Sequence, residues 1–153
     1  MRLANLFRKP AFFSAKEQQT IVQAIQQAEK KTSGEIRIFI ESRCKYVQPL
    51  DRAAEIFYGL KMNLTAERNA VLVYLATKDH QLAIFADEGI HTKTGKDFWK
   101  KEVQLMLSHF NTENYALGIV YVINEIGDAL YQHFPYLKDI DKNELPDDII
   151  FGK

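Results

Sequence analysis

Apolar and polar positions change period several times along this chain, and each change predicts an element. After Pro10, Ser14 with Glu17 three residues on has the form of a capping box, and Ile21, Val22, Ile25 and Ala28 follow at helical spacing. A first helix is expected from about Ala15 to Lys31, stopped by Thr32, Ser33 and Gly34. In EIRIFIES, Ile36, Ile38 and Ile40 alternate with Arg37, Phe39 and Glu41, the period of a strand with one strongly apolar face. Pro49 suits the first turn of a second helix, whose Ala53, Ala54, Ile56, Phe57 and Leu60 form a stripe reaching about Met62.

From Ala70 to Ala76 the run AVLVYLA is apolar without alternation, as in a central strand covered on both faces. The polar stretch Thr77 to His80 leads straight into QLAIFA, which predicts an antiparallel hairpin, whereas the first two strands are separated by a helix and should run parallel. The expected sheet is therefore small and mixed. Phe98, Trp99, Glu102, Val103, Met106 and Phe110 predict a third helix opening near Thr94 to Lys96, with Trp99 and Phe110 as core anchors. Asn111 or Thr112 would cap a fourth, in which Ile119, Val122, Ile123, Ile126 and Leu130 share a face before Pro135. The residues after Pro135 read as an irregular acidic tail.

No repeat or Gly/Ser linker divides the chain, so residues 1–153 are expected to form one domain, with a core over about 12–134 and the tail over 135–153. Twenty basic side chains balance twenty acidic ones, so the field that non-specific nucleic-acid binding needs is missing. The longest apolar run, Ala116 to Ile123, falls far short of the roughly 20 residues that span a bilayer, and the N-terminus has no signal-peptide pattern. A single cysteine, Cys44, cannot make an internal disulfide, which suits a reducing compartment and a cytoplasmic location.

Candidate chemistry concentrates where elements end. Glu35 starts the first strand, Asp79 sits in the hairpin turn, and Asp87 with Glu88 follows the third strand. Hard divalent cations need several oxygen ligands, and adjacent carboxylates on a turn before Gly89 can supply them, so Asp87-Glu88-Gly89 is the best metal candidate; a solvated turn with a capping carboxylate is the alternative. Arg68 and Asn69 come next, since a guanidinium at a sheet end can grip a carboxylate or phosphate with two donors. The site is expected at the carboxyl ends of the strands. Asp139-x-Asp141-x-Asn143 fails as an EF-hand loop, because Glu144 stands where Gly is required and Ile150 where the closing Glu belongs. Zinc-binding, Walker, GxGxxG and GxSxG patterns are all missing.

Three segments together carry a resemblance: FFSAKEQQTIVQAIQQAEKKTSGEIRI, RNAVLVYLATKDHQLAIFADEGIH, and FW with NELPD near the end. The chain resembles the TPM domain family, over about Phe12 to Phe134, in the manner of its small cytosolic bacterial members. The resemblance implies a three-layer α/β/α sandwich around a small mixed sheet. It also implies a calcium site, or a magnesium site, near the strand ends, for which Asp87, Glu88, Asp79, Asn69 and Glu35 are the candidate ligands. Since an acid phosphatase is described within the family, it further implies phosphate-ester hydrolysis with Arg68 and Asp87 as catalytic residues. Other members act in assembly or repair, so a non-catalytic module that binds a protein partner, with a metal only stabilising its strand-end loops, is the second expectation. One departure is Ala86, where the family often has Gly before the aspartate.

Overall fold

The computed structural model describes residues 12–110, 115–136 and 149–152. Helix α1 (Ala15–Glu29) begins at the predicted box: the Ser14 hydroxyl accepts from the Glu17 amide at 3.1 Å, and the Glu17 carboxylate accepts from the Ser14 amide at 2.9 Å. Two of the four unpaired amides at a helix start are thereby satisfied. Strand β1 (Glu35–Glu41) buries Ile36, Ile38 and Ile40, as the alternation requires. Helix α2 (Pro49–Gly59) opens with proline in its first turn and ends short of Met62, which instead enters a single 3₁₀ turn over Met62–Leu64.

Strand β2 (Ala70–Ala76) is buried at every position, and β3 (Gln81–Ala86) returns from it antiparallel. β1 runs parallel to β2 in full seven-residue register, so the sheet is mixed as expected. A fourth strand, β4 (Ile149–Phe151), was not foreseen. It comes from the stretch read as an irregular tail and pairs parallel with β1, completing the order β3-β2-β1-β4. Three residues of IIF are too few for periodicity to reveal; what holds them is β1's free edge and Phe39, against which the chain closes at Gly152.

The segment after β3 also differs from expectation. Asp87-Glu88-Gly89 does not form an open turn: Asp87 is the N-cap of a short helix α3 (Glu88–Thr94), which Gly95 separates from α4 (Lys96–Phe110). Helix α5 (Tyr115–His133) buries the predicted face of Ile119, Val122, Ile123, Ile126 and Leu130. The caps expected at Asn111 or Thr112, the Asp139-x-Asp141-x-Asn143 stretch and NELPD lie outside the described residues.

The odd and even sides of the central strand face different partners. Val71, Val73 and Leu75 pack with Ile21, Ile25, Trp99, Ile123 and their neighbours beneath α1, α4 and α5. Leu72 and Tyr74 pack with Ala53, Phe57 and Met62 beneath α2. Helices therefore cover both faces, which makes the fold a three-layer α/β/α sandwich. Among the described residues no helix is long and apolar enough to cross a membrane.

One member of the α4 face is a carboxylic acid. Glu102 is 2% exposed and its Oε2 has no hydrogen-bond partner among the described residues. Burial, and then the charge of Glu125 on α5, push its carboxyl up to about 7 against a weaker pull from Lys101. The fold thus favours the protonated acid, so the stabilisation is complete below the ordinary value of 4.5 and is lost as pH rises through about 7. We expect Glu102→Gln to be more stable than the parent at pH 8 by roughly 2 kcal/mol, with the two converging toward pH 4.5. Urea unfolding of both chains across that window checks this, and parallel curves would show that ionising Glu102 costs the fold nothing.

Candidate functional site

Five of the six predicted residues meet at one corner of the sheet. Because β1 and β2 run parallel and β3 opposes them, the amino ends of β1 and β2 and the carboxyl end of β3 share an edge. Glu35 lies opposite Ala70, and the Asp87 amide donates to the Ala70 carbonyl at 2.9 Å, so these three positions form a row across the sheet. Arg68 and Asn69 enter β2 just before that row. The corner therefore stands at the amino ends of the parallel strands, not at the carboxyl ends expected from the sequence. What reverses the expectation is the hairpin, which brings the end of β3 back beside the start of β2.

The centre of the corner is an ion pair. Asp87 is 1% exposed, and both of its oxygens accept from the Arg68 fork, Nε to Oδ2 at 2.7 Å and Nη2 to Oδ1 at 2.8 Å. Oδ1 also accepts from the Glu88 amide at 2.8 Å, which is the helix cap of α3. The third guanidinium nitrogen, Nη1, reaches the exposed Glu88 carboxylate at 3.2 Å. The Asp87 hydrogen bonds raise the Arg68 pKa further above its usual value. Arg68 itself has φ +53°, a left-handed backbone that a residue with a Cβ seldom adopts. Its carbonyl accepts from the Gly89 amide at 2.8 Å, so the Arg68 side chain and main chain both bind the first turn of α3.

Asn69 is 1% exposed and joins the corner to the β1 side. Its Nδ2 donates to the Ser33 hydroxyl at 3.1 Å, its amide to the Thr65 hydroxyl at 3.3 Å, and its carbonyl accepts from the Glu35 amide at 3.4 Å. The side-chain oxygen Oδ1 is buried with no hydrogen-bond partner among the described residues. Glu35, 2% exposed, is the nearest buried acid on the neighbouring strand.

Asp79 is not part of this corner. It lies in the β2–β3 turn at the other end of the sheet, about 20 Å away along strands that rise about 3.3 Å per residue. There its two oxygens accept from Arg43 at 3.0 Å and the Cys44 amide at 2.7 Å, tying the loop after β1 to the hairpin. The same end holds a polar group that the sequence reading passed over. Glu41, at the last position of β1, is 8% exposed and accepts from Arg52 Nε at 2.8 Å, Arg52 Nη2 at 3.0 Å and the Tyr74 hydroxyl. Burial pulls the Glu41 carboxyl upward, but the Arg52 and Tyr74 hydrogen bonds outweigh it and hold the group below its ordinary range. Burial and then the Glu41 bond push the Tyr74 hydroxyl up. A cavity of about 520 Å³ opens beside this network. One signal for it was present: a buried tyrosine in the apolar run AVLVYLA needs an acceptor for its hydroxyl, and Glu41 ends the adjacent strand.

The predicted ligands therefore do not assemble as one all-carboxylate shell. Asp87 is committed to Arg68, Asp79 is at the far end, and no group of three or more His, Cys, Asp or Glu suited to a metal ion occurs among the described residues. Asn69 Oδ1, buried with no hydrogen-bond partner among the described residues, is the oxygen the corner offers a hard cation.

Comparison with known proteins bears on the fold and on the family. No curated protein sequence matches the chain. The NMR structure of the BA42 protein from the psychrophilic bacterium Bizionia argentinensis is similar over 95% of this chain and 99% of that one, with 39% identity and a TM-score of 0.86. Two N-terminal domains solved by NMR share the fold at 14% identity. They are from the cg2496 protein of Corynebacterium glutamicum, with 77% of this chain and 74% of that one covered and a TM-score of 0.61, and from a P. gingivalis protein, with 83% of each chain covered and a TM-score of 0.64. The family model described as the TPM domain matches residues 7–129, and with it the chain belongs to the TPM domain family.

Proposed function

We propose that this chain is a non-catalytic binding module of the TPM family, acting in the cytoplasm, whose amino-end corner accepts a divalent cation, calcium or magnesium, that stiffens the strand-end loops. The observation that carries the non-hydrolytic part is the engagement of Arg68. Its Nε and Nη2 donate to Asp87 and its Nη1 to Glu88, so holding a phosphate would require it to abandon a buried carboxylate. An uncompensated charge buried to that degree is costly, and a phosphoryl group would have to repay the loss before any catalysis began. Asp87, locked in the same pair and capping α3, is equally ill-placed to act as a catalytic acid or base.

A separate observation supports the cation. Asn69 Oδ1 is a buried amide oxygen without a donor among the described residues, and such an atom fits a cation or a bound water far better than an apolar surrounding. Asn69 would contribute its Oδ1 to the ion, with Glu88 and solvent completing the oxygen shell, and the ion's contribution is to fix the loops that carry these residues.

The test has two arms. Chelator-stripped protein should melt about 5 °C higher in millimolar calcium or magnesium if binding is well above saturation, and Asn69→Ala should lose that rise whatever its own melting temperature. No response to either ion would remove the cation from the proposal. In the second arm, p-nitrophenyl phosphate should not be turned over above the blank with either ion present. Turnover that disappears in Arg68→Lys and in Asp87→Asn would overturn the module reading in favour of a phosphatase.

A further inference from the structure

Among the described residues, the outer edge of the sheet is open along β3. β3 is the last strand in the order β3-β2-β1-β4, and its six residues pair with β2 without a bulge. The Asp87 amide bonds to Ala70, which fixes the alternation of the ladder: Gln81, Ala83 and Phe85 turn their main-chain groups toward β2, and Leu82, Ile84 and Ala86 turn theirs outward. Outside the ladder, no main-chain hydrogen bond reaches those three from another described residue. Sheet edges are ordinarily guarded by a charge, a proline or a bulge, and QLAIFA has none of these.

A groove of about 420 Å³ runs along this edge. Leu50 at the start of α2 forms one wall, Trp99 and Val103 of α4 form the other, and the β3 main chain lies between them. Among the described residues, every ionisable side chain lining it is basic or a histidine: His91, Lys96 and Lys100, all exposed. An extended strand of about six residues would match β3 in length, since each residue advances about 3.3 Å.

We propose that this groove binds an extended acidic segment of a partner protein, which adds to β3 as a fifth strand, lays its apolar side chains against Leu50 on one face, and turns the alternate, acidic ones to the α4 face, where Lys96 and Lys100 meet their carboxylates. The proposal names the partner surface of the binding module and rests on that reading. Charge selects this occupant over a second copy of the chain, because two β3 edges brought together would also bring together two sets of Lys96 and Lys100.

The experiment titrates the full chain into a fluorescein-labelled octapeptide of alternating valine and glutamate, followed by anisotropy. Three companions are run: the same peptide with lysine for glutamate, the acidic peptide with alternate amides N-methylated, and the chain carrying Lys96→Glu and Lys100→Glu. Each companion should weaken binding at least tenfold, and the acidic peptide should slow amide exchange at Leu82, Ile84 and Ala86. The proposal is overturned if the acidic peptide does not bind, if the lysine peptide binds as well, or if N-methylation has no effect. It is also overturned if sedimentation of the chain alone shows a dimer that protects the same three amides. Phosphate-ester turnover by the chain would sink the module reading on its own, without altering the peptide result, so the two failures are told apart.

Discussion

Gly89→Ala is expected to be the most damaging conservative change at the corner, lowering the unfolding free energy by about 3 kcal/mol or more. A Cβ built at Gly89 would lie 2.2 Å from the Glu67 carbonyl oxygen and 2.5 Å from that of Arg68. Both obstacles are main chain, so no rotamer change relieves them. The close approach has a purpose in the fold: it lets the Gly89 amide donate to the Arg68 carbonyl at 2.8 Å and seats α3 directly on the turn that feeds β2. Alanine is ordinarily the better helix former by about 1 kcal/mol, so propensity alone predicts a gain in stability. Urea denaturation decides between the two effects. A variant as stable as the parent would mean that α3 does not sit this close to residues 67–68.

The same glycine shows where sequence reading succeeded and where it stopped. The elements set by local pattern were legible. The Ser14 and Glu17 box starts α1 where expected, Ile36, Ile38 and Ile40 give β1 its buried face, and AVLVYLA is buried throughout as β2. The misreadings involve partners distant in sequence. Asp87-Glu88-Gly89 has the residue types of a metal-binding turn, and only the arrival of Arg68, nineteen residues earlier in the chain, converts Asp87 into the anchor and cap of a helix. β4 is three residues held by a neighbour more than a hundred positions away. Asp79 and Asp87 look adjacent because seven residues separate them, yet a whole strand lies between them and sends them to opposite ends of the sheet. Of the five expected ligands, the fold brings four to one corner by topology alone, while the bonds each one makes there depend on contacts no local pattern encodes.

The two ends of the sheet solve one problem twice. At one end Glu41 is buried between Arg52 and Tyr74, and at the other Asp87 is buried against Arg68. Each pair joins the end of a strand to the segment that must be held beside it. Buried pairs of this kind contribute little beyond what an apolar pair would, but removing one partner is expensive, because the survivor keeps its charge without compensation. Both corners are therefore robust as pairs and fragile to single changes, which suits a scaffold that must hold loops in place.

That asymmetry yields the second large effect. Arg68→Ala should lower the melting temperature by about 6 °C, since it leaves the Asp87 carboxylate, 1% exposed in the parent, with the Glu88 amide as its one remaining donor among the described residues. Asp87→Asn in the parent should also be destabilising, because one face of the amide cannot accept from the guanidinium. The decisive chain is the double variant Arg68→Met with Asp87→Asn. With no buried charge left, it should recover a large part of the loss, and the coupling between the two positions should be well above the sum of independent changes. Recovery of that kind identifies the pair as a clamp. If instead Arg68→Ala melts with the parent and inorganic phosphate raises the melting temperature of the parent but not of Arg68→Ala, the guanidinium is free to serve an anion, and the corner is a phosphate site after all.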